Sequence, residues 1–142
     1  MKLLTKNTDY AIRALIELAL HEGEYLSVRE IAKNQKMPYQ FLRSITQKLI
    51  KHKLVASKEG VKGGLKMVED PAKIKIVDVI QAFQGEIELS DCLFQKQICS
   101  NRKICVLRKE IQRIEGLVTK EFGKLTIMGL IKKMKNANKG GV

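Results

Sequence analysis

The strongest constraint on this chain lies in one block, SVREIAKNQKMPYQFLRSITQKLIKHKLVASKEGVKGGLKM, residues 27–67. Ser27-Val28-Arg29-Glu30 has the form of a capping box, in which a serine oxygen accepts from a backbone N–H and a glutamate reaches back. A short helix with Val28, Ile31 and Ala32 inward is predicted to follow. Asn34-Gln35-Lys36-Met37 is a polar break, and Pro38 suits the opening of a second helix because its missing N–H has no partner there anyway. That helix, about 38–52, carries Phe41, Leu42, Ile45, Leu49 and Ile50 on one side. Its other side offers Tyr39, Gln40, Arg43, Ser44, Gln47, Lys48 and Lys51. Two short helices around a tight turn, the second amphipathic with Arg, Gln and Lys on its free face, predict a helix-turn-helix sized for the major groove.

The adjoining stretch reads as a wing. Residues 54–58 alternate like a strand, 59–64 hold three glycines, and 65–68 return. Gly60, Gly63 and Gly64 let the backbone turn and approach a partner closely, and Lys58 and Lys62 stand where a phosphate backbone or minor groove would lie.

Charge supports the same partner. The chain has 27 Lys and Arg against 15 Asp and Glu, a net charge of +12. Within residues 31–68 nine basic side chains (Lys33, Lys36, Arg43, Lys48, Lys51, Lys53, Lys58, Lys62, Lys66) face a single acidic one, Glu59. A lysine-rich solvated surface is the plain alternative, but the excess coincides with the helix-turn-helix and the wing, so double-stranded operator DNA is the expected partner. Tyr39, Gln40, Arg43 and Gln47 are the candidates for base edges; Lys48, Lys58, Lys62 and the close-approach Gly63 are the candidates for the DNA backbone.

The flanks complete a mainly α fold. Residues 8–22 are apolar around most of a helical circumference, with Ala11, Ala14, Leu15, Leu18 and Ala19 at helical spacing. A helix is expected over 76–83, then a loop over 84–102 without clear period. Ile104, Leu107, Ile111, Ile114 and Val118 then succeed one another at steps of 3, 4, 3 and 4, the spacing of a coiled-coil seam. A lone helix would expose that stripe, so a second copy is its natural cover and a homodimer is expected. Thr126 is a plausible cap for a last short helix. The division is 1–83 as a winged helix-turn-helix DNA-binding domain and 84–142 as a cysteine loop with a long C-terminal dimerisation helix.

No apolar run reaches the length of a bilayer span, and Asp9 and Arg13 interrupt the opening where a signal peptide would be apolar, so a cytoplasmic protein without a membrane role is expected. In that compartment Cys92, Cys99 and Cys105 are not expected to form structural disulfides. Six residues separate the first two and five the second two, and neither gap matches the two-residue gap of zinc ribbons. On spacing, an iron-sulfur centre, zinc and unrelated thiols all remain open. Lys96, Arg102, Lys103 and Arg108 nearby favour thiolates and offset a cluster's negative charge. No Ser/His/Asp set, P-loop or dinucleotide fingerprint supports catalysis, so an enzyme is not expected.

The order of these parts resembles one family, the Rrf2-type winged-helix iron-sulfur transcription regulators that include IscR, NsrR and RirA. The matching stretches are LTKNTDYAIRAL, the helix-turn-helix block, the wing KEGVKGGLKM, the Cys92-Cys99-Cys105 loop and the closing LTIMGLIKK. The resemblance implies a 2Fe-2S or 4Fe-4S cluster held by the three cysteines and one further ligand. In the IscR type that ligand is a histidine three positions after the last cysteine, where this chain has Arg108. In the NsrR type it is an aspartate near the N-terminus contributed across the dimer, and Asp9 stands at the matching place. An aspartate in a helix's first turn is also an ordinary dipole partner. His21, His52, water or a small thiol are the other ways to complete the site. A cluster-dependent regulator, most simply a repressor, is the implied function; a cluster-free thiol- or metabolite-sensing regulator and a small iron-sulfur redox protein are the alternatives.

Overall fold

The computed structural model describes residues 3–89 and 105–140; Cys92, Cys99 and Ile104 lie outside the described residues. Helix α1 spans Lys6–Leu20 and opens on Thr5, whose Oγ1 accepts from the Thr8 N–H. Ala11, Ala14, Leu15 and Leu18 are almost wholly buried, as their spacing predicts. Burial of a leucine of this kind stabilises a fold by roughly 1.5–3 kcal/mol, so α1 is the axis of the core.

Helix α2 (Val28–Asn34) starts with both bonds of the capping box: Glu30 N–H to Ser27 Oγ at 3.1 Å and Ser27 N–H to Glu30 Oε2 at 2.9 Å. The turn passes through Lys36 at φ 53, and Pro38 takes the N-cap of α3 (Tyr39–Lys51). Leu42, Ile45 and Leu49 seal α3 against the core. Phe41 departs from its expected inward place. It lies at the edge of the apolar stripe, 45% exposed, with its ring edge-on to Tyr10 at 6.2 Å.

Strands β1 (Val55–Lys58) and β2 (Gly64–Met67) pair antiparallel, with Val55 opposite Met67 and Lys58 opposite Gly64. The far edge of β2 is covered by Leu26, which exchanges two backbone hydrogen bonds with Leu65, at 2.9 and 2.7 Å. Gly64 makes that contact possible: it sits at φ +141, and a Cβ there would fall 2.2 Å from the Leu26 carbonyl oxygen. No other residue type fits that position without moving one of the two strands.

Helix α4 (Ile76–Gln84) packs on α1, and α5 (Val106–Gly123) packs on α4. Thr126 caps α6 (Ile127–Gly140) by accepting from the Gly129 N–H at 2.9 Å, the capping role expected of it. Ile127 and Ile131 carry α6 into the same core as α1, and a Lys75–Thr126 bridge joins the entry of α6 to the entry of α4.

The two long helices α1 and α5 differ in one respect. Eight residues of α1 are buried, and none of α5 is. Leu107, Ile114 and Leu117 are exposed, while Ile111 and Val118 are half-buried. Among the described residues, no helix is long and apolar enough to cross a membrane.

Candidate functional site

The free face of α3 holds Gln40, Arg43 and Gln47, all exposed and spaced by three and four residues, so they form one row along the helix. Tyr39, half-buried at the start of α3, has the Arg29 guanidinium of α2 over its ring at 5.4 Å. This contact ties a cation of the first helix to the leading edge of the second. Lys48 is exposed, but its ammonium leans over Phe83 of α4 at 5.5 Å from the ring centre. In the wing, Lys62 is exposed at the tip beside the fully exposed Val61, and the Gly63 N–H closes the turn on the Gly60 carbonyl at 3.1 Å. Gly63 also lies so close to Lys58 that a Cβ would fall 2.1 Å from its carbonyl oxygen.

A residue that no sequence motif singles out fixes the turn of the helix-turn-helix. Glu17 of α1 is 6% exposed and accepts from Asn34 Nδ2 at 2.8 Å and Gln35 Nε2 at 2.6 Å, with His21 Nε2 at 3.4 Å. The polar break between α2 and α3 is therefore held by a buried carboxylate. The signal in the sequence is an acid set among Ala14, Leu15 and Leu18 on an otherwise apolar helix face.

Of the predicted metal ligands, Cys92 and Cys99 fall outside the described residues, and Cys105 occupies the N-cap of α5, half-buried, with no capping bond from its side chain. The first turn of α5 contains no acidic residue and carries Arg108 half-buried. The helix N-terminus and Arg108 give Cys105 positive surroundings, which suit an anionic ligand set. Asp9 lies in the first turn of α1, partly exposed, with its Oδ2 on Arg13 Nε at 3.1 Å. His21 and His52 are the C-caps of α1 and α3. Among the described residues, no group of three His, Cys, Asp or Glu side chains is gathered to hold a metal.

The described chain that leads into the cysteine segment is tied down at two points. Gln84, last residue of α4, accepts from Thr5 N–H at 3.0 Å and Thr8 Oγ1–H at 2.7 Å and donates to the Leu3 carbonyl at 2.9 Å. Thr8, adjacent to Asp9, is wholly buried. Further along, the Leu89 N–H donates to Glu115 Oε1 of α5 at 3.0 Å, with Ile87 buried between. The segment thus departs from a staple on α1 and an anchor on α5, and rejoins the described chain at the α5 N-cap.

Comparison with known proteins identifies the family. The Rrf2 family, described as iron-dependent transcriptional regulator, matches residues 4–133. The HTH-type transcriptional regulator NsrR of Oceanobacillus iheyensis is 30% identical over 132 residues, 91% of this chain and 89% of that one. Among solved structures, T. potens IscR superposes with a TM-score of 0.76 at 22% identity, covering 96% of this chain and 90% of the other. CymR, the global cysteine regulator of B. subtilis, superposes at 0.77 and 24% identity, covering 94% and 98%. The curated relatives are named as transcriptional regulators, not as enzymes. A winged helix-turn-helix with a basic reading face, matched along nearly its whole length, makes this chain a member of the Rrf2 family of transcriptional regulators.

Proposed function

We propose that this chain is a cytoplasmic, homodimeric repressor that binds operator DNA through residues 1–83 and adjusts its grip through an iron-sulfur cluster on Cys92, Cys99 and Cys105, with Asp9 of the second subunit as the further ligand. When bound, the cluster supplies an oxidant- and nitric-oxide-labile link among its ligands. The single observation that carries this reading is the pair of tethers that lead into the cysteine segment: Gln84 on the first turn of α1, and Leu89 on Glu115 of α5.

The work of the chain's own residues derives from those tethers. Gln84 and Thr8 couple the start of the cysteine segment to α1, and Glu17 on the same helix holds the turn between α2 and α3. A pull on the first turn of α1 therefore reaches the recognition helix through one rigid, buried rod. In a dimer joined along Leu107, Ile111, Ile114 and Val118, that pull alters the separation of the two α3 helices. Half-sites about one helical turn apart tolerate little such change. Gln40, Arg43 and Gln47 supply donors and acceptors for base edges, and Lys58 and Lys62 supply phosphate contacts.

The cluster reading is tested by anaerobic reconstitution followed by visible absorption and Mössbauer spectroscopy, with Cys105→Ala and Asp9→Ala alongside. The expected result is a brown protein whose spectrum disappears in the first variant and changes in the second. A colourless protein with no iron or sulfide after reconstitution would overturn it. A second reading, a cluster-free thiol- or metabolite-sensing regulator, is favoured by one observation: Asp9 is already paired with Arg13. In that case Cys105→Ala removes the response of DNA affinity to oxidants while iron never binds.

A further inference from the structure

The outer face of the wing joins Lys58, already a phosphate candidate, to two residues without a role so far, Tyr25 and Lys66. Leu26 pairs with Leu65 through two backbone hydrogen bonds, and both side chains are buried on the inner face. In antiparallel register, Tyr25 then stands opposite Lys66, and both point outward. On the other side of β2, Lys58 is opposite Gly64, further along the same outer face. Lys58 and Lys66 therefore share that face with the Tyr25 ring. Both ammonium groups converge on that ring: Lys58 Nζ is 5.6 Å and Lys66 Nζ 5.5 Å from its centre.

Two like charges at one aromatic ring repel each other. The negative face of the ring relieves part of that repulsion, and a neighbouring anion would relieve more. Among the described residues, neither lysine forms an ion pair, although Glu59 directly follows Lys58 in the chain. A paired cation centre held against a half-buried ring at the sheet edge is pre-set for an anion that bears its charge on a rigid repeat. The duplex backbone is such an anion.

We infer that Tyr25, Lys58 and Lys66 form a second DNA-backbone contact on the outer face of the wing, with the two lysines meeting phosphate and Tyr25 acting as the residue that positions them. This contact is independent of sequence and separate from the glycine-rich tip. Gly64 serves it by admitting Leu26 to the sheet edge, which sets Tyr25 opposite Lys66. The inference rests on the DNA-binding reading of the wing.

The test is the salt dependence of binding to a mixed-sequence duplex of about 30 base pairs, measured by fluorescence anisotropy at low ionic strength. Each phosphate contact contributes about 0.9 to the slope of log K against log salt. Lys66→Gln removes one contact from each subunit of the proposed dimer, so it is expected to lower the slope by about 1.8 and the affinity roughly sixtyfold at 0.1 M salt, and Lys58→Gln with Lys66→Gln by about twice that slope. Tyr25→Leu should lower affinity several-fold, Tyr25→Phe should restore it, and Tyr25→Leu should have no further effect once both lysines are replaced. Thermal unfolding of each variant separates lost contact from lost fold. An unchanged slope in Lys66→Gln, or a Tyr25→Phe as weak as Tyr25→Leu, overturns the proposal while leaving DNA binding intact. Absence of duplex binding by the unaltered protein overturns the DNA-binding reading itself.

Discussion

Helices α1 and α5 are both long, both amphipathic and both built on apolar residues at helical spacing, yet the chain buries one and leaves the other bare. In α1 the stripe of Ala11, Ala14, Leu15 and Leu18 meets α3, α4 and α6. In α5 the stripe rests on α4 along one margin only, and Leu107 and Ile114 remain 70% and 40% exposed. Periodicity reveals which face of a helix is apolar and not what covers it. For α1 the cover is intramolecular. For α5 the described residues leave Leu107 and Ile114 exposed, and a second copy of the same stripe is the proposed cover.

The comparison breaks most sharply at Leu15. Replacing this wholly buried side chain by alanine is expected to lower the unfolding free energy by about 2–5 kcal/mol, read from urea denaturation, with little effect on a properly folded dimer's affinity for itself. The corresponding change on α5 should act in the opposite sense. Ile114→Asp places a charge in the apolar seam, and sedimentation is expected to show dimer dissociation constants raised at least about a hundredfold, or roughly 3 kcal/mol, while secondary structure persists. If Ile114→Asp unfolds the chain without shifting association, the distinction between the two helices fails.

A smaller effect sharpens the polar side of α1. Glu17→Ala leaves the Asn34 and Gln35 amides without their acceptor and should cost about 1–3 kcal/mol, with a larger loss in operator affinity than in stability because the turn before α3 loosens. The smallest effect is expected on α5. There Lys124 donates a hydrogen bond to Glu121 at 2.8 Å, and this bond, then the lysine's charge, holds the carboxyl below its ordinary range. Because the folded-state value is depressed, its slight stabilisation is present above the unfolded value and lost as pH falls through the folded one. NMR titration should show a low Glu121 midpoint that rises on Lys124→Gln.

How far the sequence could be read follows the same division between local and distant causes. The capping box at Ser27 and Glu30, the break before Pro38, the glycines of the wing and the cap at Thr126 are signals within four residues, and each appears at its expected place. Phe41 shows the limit. Its spacing belongs to the inner stripe, but the ring lies against Tyr10 under the Lys6 ammonium, 5.2 Å from its centre, at the margin of the core. Gln84 and Tyr25 were illegible for a related reason, and Glu17 showed only as an acid on an apolar helix face, with no sign of its partners. Each acts on partners far along the chain, Gln84 on Thr8 for instance, and a single polar residue carries no period. Of the candidate site, the row of Gln40, Arg43 and Gln47 was legible because it is the complement of the apolar stripe on α3.

The state of the cysteine segment, on this account, sets the affinity of paired recognition helices for DNA. The most direct test is fluorescence anisotropy at one fixed salt concentration, anaerobically, on a duplex recovered by selection from a random-sequence pool. The cluster-loaded protein, the same protein stripped of iron, and Cys105→Ala are compared. The account predicts that the loaded protein differs from the other two by tenfold or more and that those two agree. Equal affinity in all three would contradict it.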